Sequence, residues 1–206
     1  MTFTSRTPTV SRTASSRPRR SRTTPLIATC GAICLCLGFW APPVAAQRTT
    51  APYLKAAFLS NFAKFTEWPA DALGIGQNLT LCVLGDASVA DALEQTINGR
   101  HVEAHELVVQ IVTINGPIRS CHLLYSTGLD AARSTQLLRS LIGAAVFTVS
   151  DNDQFAEGGG IAQLILEGDR MRFAINVASA QRARLNLSSK LLGLAKIVKD
   201  GPNVPR

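Results

Sequence analysis

The sequence predicts a single α/β domain, in which a mixed β-sheet is flanked by helices on both faces and followed by a C-terminal β-hairpin and helix. Three observations predict it. Apolar, strand-like runs alternate with segments of helical period between Leu79 and Val149. Two further strand-like runs then meet across Glu167-Gly168-Asp169, the plainest hairpin signal in the chain. Ahead of them, Ala51–Pro69 forms a helix so aromatic on one side that it needs a flat apolar surface to cover.

Met1–Ala46 reads as an export signal. Its first two dozen residues carry Arg6, Arg12, Arg17, Arg19, Arg20 and Arg22 and no acid. Leu26–Trp40 is then uncharged, but it is shorter than the roughly 20 residues a bilayer requires. Pro42-Pro43 breaks the run, and Val44-Ala45-Ala46 places small residues where a signal peptidase reads them, so cleavage is expected after Ala46. The alternatives fit less well. An anchor needs a longer run, a transit peptide needs amphipathicity, and Thr29 beside Cys30 spoils a lipoprotein site.

Removing that segment changes the charge argument. Six of the 21 Lys and Arg precede residue 47 and none of the 14 acids does, which leaves 15 basic against 14 acidic groups. A near-neutral chain gives no basic face for nucleic acid. The 160 residues from Gln47 to Arg206 suit one domain with a sizeable core. Of five cysteines, Cys30, Cys34 and Cys36 leave with the signal. Cys82 and Cys121 remain, and in an oxidising compartment they are expected to form a disulfide. Closing a loop of that length contributes about 3–4 kcal/mol in the chain-entropy picture. Two buried thiols acting as small hydrophobes are the alternative. A metal site would need more ligands than this pair supplies.

Within Ala51–Pro69, Pro52 suits a first helical turn. Leu54, Ala57, Phe58, Phe62 and Phe65 recur at helical spacing as the apolar face, while Lys55, Ser60, Lys64 and Glu67 fall away from it. Trp68-Pro69 stops the helix. Leu79–Leu84 is a strand, and Ser88 caps a helix over Val89–Ile97. Asn98-Gly99 turns the chain into a strand over Glu106–Ile114. Cys121–Ser126 is the next strand, Asp130 opens a helix through Leu141, and Ala144–Val149 is a buried strand. Ile161–Leu166 and Arg170–Ile175 form the hairpin, and Ser188–Lys199 the last helix.

The motifs that would mark catalysis or a metal are missing. His101, Glu103 and His105 would share a face on a strand, and His122 adds an imidazole, but nothing fixes a third ligand near them. Asp151, Asp153 and Glu157 do not have calcium-loop spacing. Gly158-Gly159-Gly160 does not lead from a strand into a helix as a phosphate cradle does, and is read as a positive-φ approach to the hairpin. No catalytic residue, metal or cofactor is assigned.

Six blocks in order resemble the YfiR-like family: YLKAAFLSNFAKFTEWP at Tyr53–Pro69, LCVLGD at Leu81–Asp86, NGRHVEAHELVV at Asn98–Val109, CHLLYST at Cys121–Thr127, VFTVSD at Val146–Asp151, and Phe155–Val198. The resemblance implies a periplasmic protein that docks on the periplasmic portion of an inner-membrane diguanylate cyclase and holds it inactive, lowering cyclic-di-GMP. It also implies a second partner, an outer-membrane lipoprotein that sequesters the repressor, and a role for redox state. A homodimer is a further candidate assembly. With one cysteine pair left, family behaviour that needs a second bond cannot apply.

Docking needs an apolar patch with polar residues beside it. Phe155 and Glu157 flank the triple glycine, and Arg184 and Leu187 lie in a mixed stretch before the last helix. Phe155, Glu157, Arg184 and Leu187 are therefore expected to belong to or border the surface that meets the cyclase. The plainer reading makes Phe155 and Leu187 core residues. The competing function class is a small-ligand receptor or enzyme with a pocket at the carboxyl ends of the strands.

Overall fold

The computed structural model describes residues 44–168, 170–202 and 204. The expected signal sequence lies outside them up to residue 43. Among the described residues, five α-helices and an eight-stranded mixed sheet make one α/β domain. The chain runs through α1 (Val44–Lys64), β1 (Thr66–Glu67), β2 (Leu79–Leu84), α2 (Ala87–Ile97), β3 (His101–Val102) and β4 (His105–Ile111). It continues through β5 (Leu123–Ser126), α3 (Ala131–Ser140), β6 (Phe147–Ser150), β7 (Ala162–Glu167) and β8 (Arg170–Asn176). It closes with α4 (Val177–Arg182), β9 (Asn186–Leu187), α5 (Ser189–Leu192) and β10 (Lys196–Val198).

The sheet order is β10-β8-β7-β6-β5-β2-β4-β3. Its centre, β4-β2-β5-β6-β7, is parallel. β8 returns antiparallel to β7, with Glu167 opposite Arg170. Side chains alternate between two cores, as a pleated strand requires. Leu81, Val83, Leu123 and Tyr125 face α1 and α2, while Cys82, Leu84 and Leu124 face α3.

Aromatic packing seats α1. The Phe62 ring stacks on Phe147 at 5.4 Å and meets Phe173 edge-on at 5.2 Å, and Phe58 meets Phe173 at 5.7 Å. The buried positions of α1 are Ala56, Leu59, Phe62 and Ala63, whereas Leu54 is exposed. The stripe is rotated from the expected one because α1 covers α2 as well as the sheet; Tyr53 Oη donates to Gln95 Oε1 on α2 at 2.7 Å. Lys55 accordingly points inward. Pro52 lies within α1 rather than in its first turn.

Four other features differ from the sequence-based expectation. The first helix stops at Lys64, short of Trp68, because Thr66 and Glu67 pair with Leu187 and Asn186 of β9. The last helix is a single turn, after which Lys196–Val198 pairs parallel to β8. A free sheet edge beside a β-branched run outweighs a helical period of four apolar residues. His101 and His105 belong to a tight hairpin turning at Glu103, where φ is +53°, so the three residues do not share one strand. Asp86, rather than Ser88, caps α2, accepting from the Ser88 and Val89 amides. Among the described residues, no helix is long and apolar enough to cross a membrane.

Candidate functional site

In open parallel sheets, ligands collect beyond the carboxyl ends of the strands where the strand order reverses. Here that place lies between β2 and β5, and it is closed. Gly85, at φ +96°, lies so near the next loop that a Cβ on it would stand 2.6 Å from the Thr127 carbonyl. The open space is displaced by one strand. A cleft of about 650 Å³ lies between α3 and the loop that follows β6. Leu129, Leu138 and Phe155 give it apolar walls; Ser134, Thr135, Asn152, Asp153, Gln154 and Glu157 give it polar ones.

The local sequence explains this shape. Asp130 caps α3 by accepting from the Arg133 amide at 2.8 Å, which aims the first turns of the helix at the cleft. Asn152 donates to the Leu129 carbonyl at 2.7 Å and to Ser134 Oγ at 3.3 Å, tying the loop to the helix. The loop turns at Gln154, which holds φ +58° without being glycine. Phe155 then folds beneath it onto Gly160, which has no Cβ to obstruct the ring. The C-terminal segment completes the wall. The Gly201 amide donates to the Glu157 carbonyl at 2.7 Å, and Asp200 is clasped by Arg182 at 2.6 and 2.9 Å and by Asn176 at 2.7 Å.

On the α1 side of the same strand ends, three polar side chains bond to one another, and Thr127 adds to them. Lys55 Nζ donates to Asp151 Oδ2 at 2.6 Å and to Tyr125 Oη at 2.9 Å, and Tyr125 Oη donates to Asp151 at 3.0 Å. Burial alone would lower the Lys55 pKa, but its bonds to Asp151 and Tyr125 outweigh that and raise it. Burial would likewise raise Asp151, but Lys55, Thr127 and Tyr125 together outweigh that and hold it below the usual carboxylate value. Burial pushes the Tyr125 hydroxyl up to about 12. This set fastens α1 to β5 and β6 in a fixed charge state and leaves no proton poised for transfer near neutral pH.

At the amino ends of the strands, His122 plays the corresponding part with neutral groups. Its Nδ1 accepts from the Thr80 amide at 3.0 Å, and its Nε2 donates to the Ala72 carbonyl at 3.1 Å. The partners fix the tautomer. Burial lowers its pKa. The Trp68 indole donates to the His122 carbonyl at 3.0 Å and meets the ring edge-on. Among the described residues, no three His, Cys, Asp or Glu side chains are grouped to hold a metal.

The four residues expected to border a docking surface fall at two ends of the sheet. Phe155 is buried at 3 % exposure and Glu157 is half-buried in the cleft wall, both past the carboxyl end of β6. Leu187 is half-buried and pairs with Thr66 beside the amino ends of the strands. Arg184 is exposed, holds φ +60°, and pairs with Asp71 at 2.7 Å. Phe155 and Leu187 thus pack inward, and Glu157 and Arg184 do not share one patch. Cys82 and Cys121 form a disulfide with a Cα–Cα distance of 5.8 Å. Cys82 lies on β2, while Cys121 follows a 3₁₀ turn just before β5.

Sequence reasoning missed Lys55, Tyr125 and Asp151. The available signals were a lysine in the middle of an aromatic stretch and an aspartate directly after a buried strand. Ser134 and Gln154 carried no signal, since only the tertiary approach of α3 to the loop makes them neighbours.

The fold and its sites define a single-domain α/β protein whose clefts lie at the two ends of a mixed sheet. Residues 53–196 match the YfiR/HmsC-like family, and the chain belongs to it. A solved structure of a conserved domain protein from Vibrio cholerae is similar at 11 % identity and a TM-score of 0.44. That match covers 59 % of this chain and 55 % of the other.

Proposed function

We propose that the protein is a periplasmic regulator that binds an inner-membrane diguanylate cyclase through its periplasmic portion and represses it. Family membership over residues 53–196 is the observation that carries this reading. In this reading the first 46 residues are a signal peptide removed on export, and an outer-membrane lipoprotein competes for the repressor. Docking in this reading engages one end of the sheet, with Glu157 over the buried Phe155 or Arg184 beside the half-buried Leu187 as its polar contact.

Affinity capture tests this. The protein immobilised on resin should retain, from solubilised inner membranes, a protein with a cyclase domain. Glu157→Ala and Arg184→Ala, compared separately, should show which end of the sheet is engaged. Retention of no cyclase by the wild type would remove the proposal. Undiminished capture by both variants would place the docking surface elsewhere.

A further inference from the structure

We propose that the segment 69–77, between β1 and β2, is an acid-released strap: His122 holds it closed at neutral pH, and protonation of that ring frees it. The device does not depend on the cyclase reading. The strap's backbone bonds close within it, from the Ala72 and Leu73 amides to the Pro69 carbonyl and from the Gln77 amide to the Gly74 carbonyl. Side chains tie it to the rest of the domain. His122 Nε2 donates to the Ala72 carbonyl, His105 Nδ1 donates to the Gln77 carbonyl at 2.8 Å, and Arg184 pairs with Asp71. Half-buried Leu73 is its apolar foot, and lines a small cleft with Phe65, Trp68 and Leu79. Between Gly74 and Gly76, Ile75 is wholly exposed.

The two imidazoles answer a proton differently. His105 already gives its Nδ1–H to Gln77, so a second proton on Nε2 leaves that bond intact. His122 has no such freedom, because its Nδ1 accepts from the Thr80 amide. A proton there sets two N–H donors head to head and leaves a buried cation. Both ring nitrogens are taken by backbone groups, so no carboxylate is in place to receive the charge. Asp71 is paired with Arg184, while Lys64, Glu67 and Glu103 line the cleft. Burial lowers the His122 pKa, the Ala72 bond pulls the other way, and the charge of His105 adds to the lowering.

The sign follows. The ring is neutral beneath the closed strap and returns toward its ordinary 6.5 when water reaches it. The closed state is therefore favoured above 6.5 and loses ground as pH falls below it. Swinging the ring out breaks the Ala72 bond, lifts Leu73 and uncovers Leu79 and Trp68. Acidification thus exposes an apolar floor at the amino ends of the strands while the strap stays tethered at Gln77.

Trp68 reports the movement, since its indole donates to the His122 carbonyl and meets the ring edge-on. In Trp40→Phe protein it is the only tryptophan. Its emission maximum should shift to the red between about pH 7 and 5, with a midpoint below 6.5 and with far-ultraviolet circular dichroism unchanged. Wavelength is the readout, because an imidazolium beside an indole quenches it without any movement. His122→Gln, added to Trp40→Phe, should abolish the shift. Asp71→Ala removes an exposed tie and should raise the midpoint by roughly 0.2–0.7 pH unit, and it carries the test should the His122 variant fail to fold. A fall in intensity at fixed wavelength, a shift retained in the folded His122 variant, a midpoint unmoved by Asp71→Ala, or loss of secondary structure over the same range would overturn the proposal.

Discussion

The two faces of the sheet are held by different means. The face under α1 and α2 is aromatic: Phe58, Phe62, Phe147, Phe173 and Tyr125 interlock there. The face under α3 is aliphatic and thinner, and among the residues of α3 itself only Leu137 is buried. That face carries the Cys82–Cys121 bond. A helix that buries little needs help from elsewhere, and a cross-link supplies it by restricting the unfolded chain. The aromatic face is also pinned by titratable groups, Lys55 at one end of the strands and His122 at the other. One face should therefore respond to redox conditions and the other to pH.

The largest expected effect breaks the aromatic face. Phe62→Ala removes a ring that touches three others and should cost about 3–5 kcal/mol in urea unfolding, equally with and without reductant. A loss that depended on reductant would mean the two faces are coupled. Cys121→Ser breaks the other face and should cost about 3–4 kcal/mol. Reductant should lower the melting temperature of the wild type and leave that of the variant unchanged.

Lys55→Met is a smaller break. It leaves the half-buried Asp151 carboxylate without its cation, at about 1–3 kcal/mol. The pH dependence sharpens the point. Asp151 has a lowered pKa in the folded state, so its contribution is present above the ordinary 3.8 and is lost as pH falls through the lowered value. Tyr125 is raised from 10.0 to about 12, so its contribution is present below 10.0 and is lost as pH rises toward 12. In Lys55→Met the acid slope should flatten, because Lys55 holds the Asp151 pKa down, whereas the alkaline slope should steepen, because Lys55 also holds the Tyr125 pKa down; both slopes should persist in Cys121→Ser. The smallest effect belongs to His122, whose lowered pKa makes stability fall as pH drops below the ordinary 6.5. Melting curves of His122→Gln between pH 7 and 5 should lack that decline.

The sequence shows the class of fold because alternation and the Glu167–Arg170 turn are local signals. The disulfide was legible from cysteine count and compartment alone. The rotation of α1 was not, because two surfaces compete for one helix and the sequence does not say that α2 will lie against it. The final strand was hidden for a related reason: Lys196–Val198 has a helical neighbour in sequence and a strand neighbour only in space. The candidate cleft shows the same limit. Glu157 and Phe155 drew attention through the triple glycine beside them, whereas Ser134 and Gln154 become neighbours only once α3 meets the loop.

Repression is most directly tested by cellular cyclic-di-GMP. In a strain lacking this gene, its level should rise, and re-expression of the wild-type protein should return it to the parental value. An unchanged level in both strains, with the protein restored to its normal amount, would contradict the account.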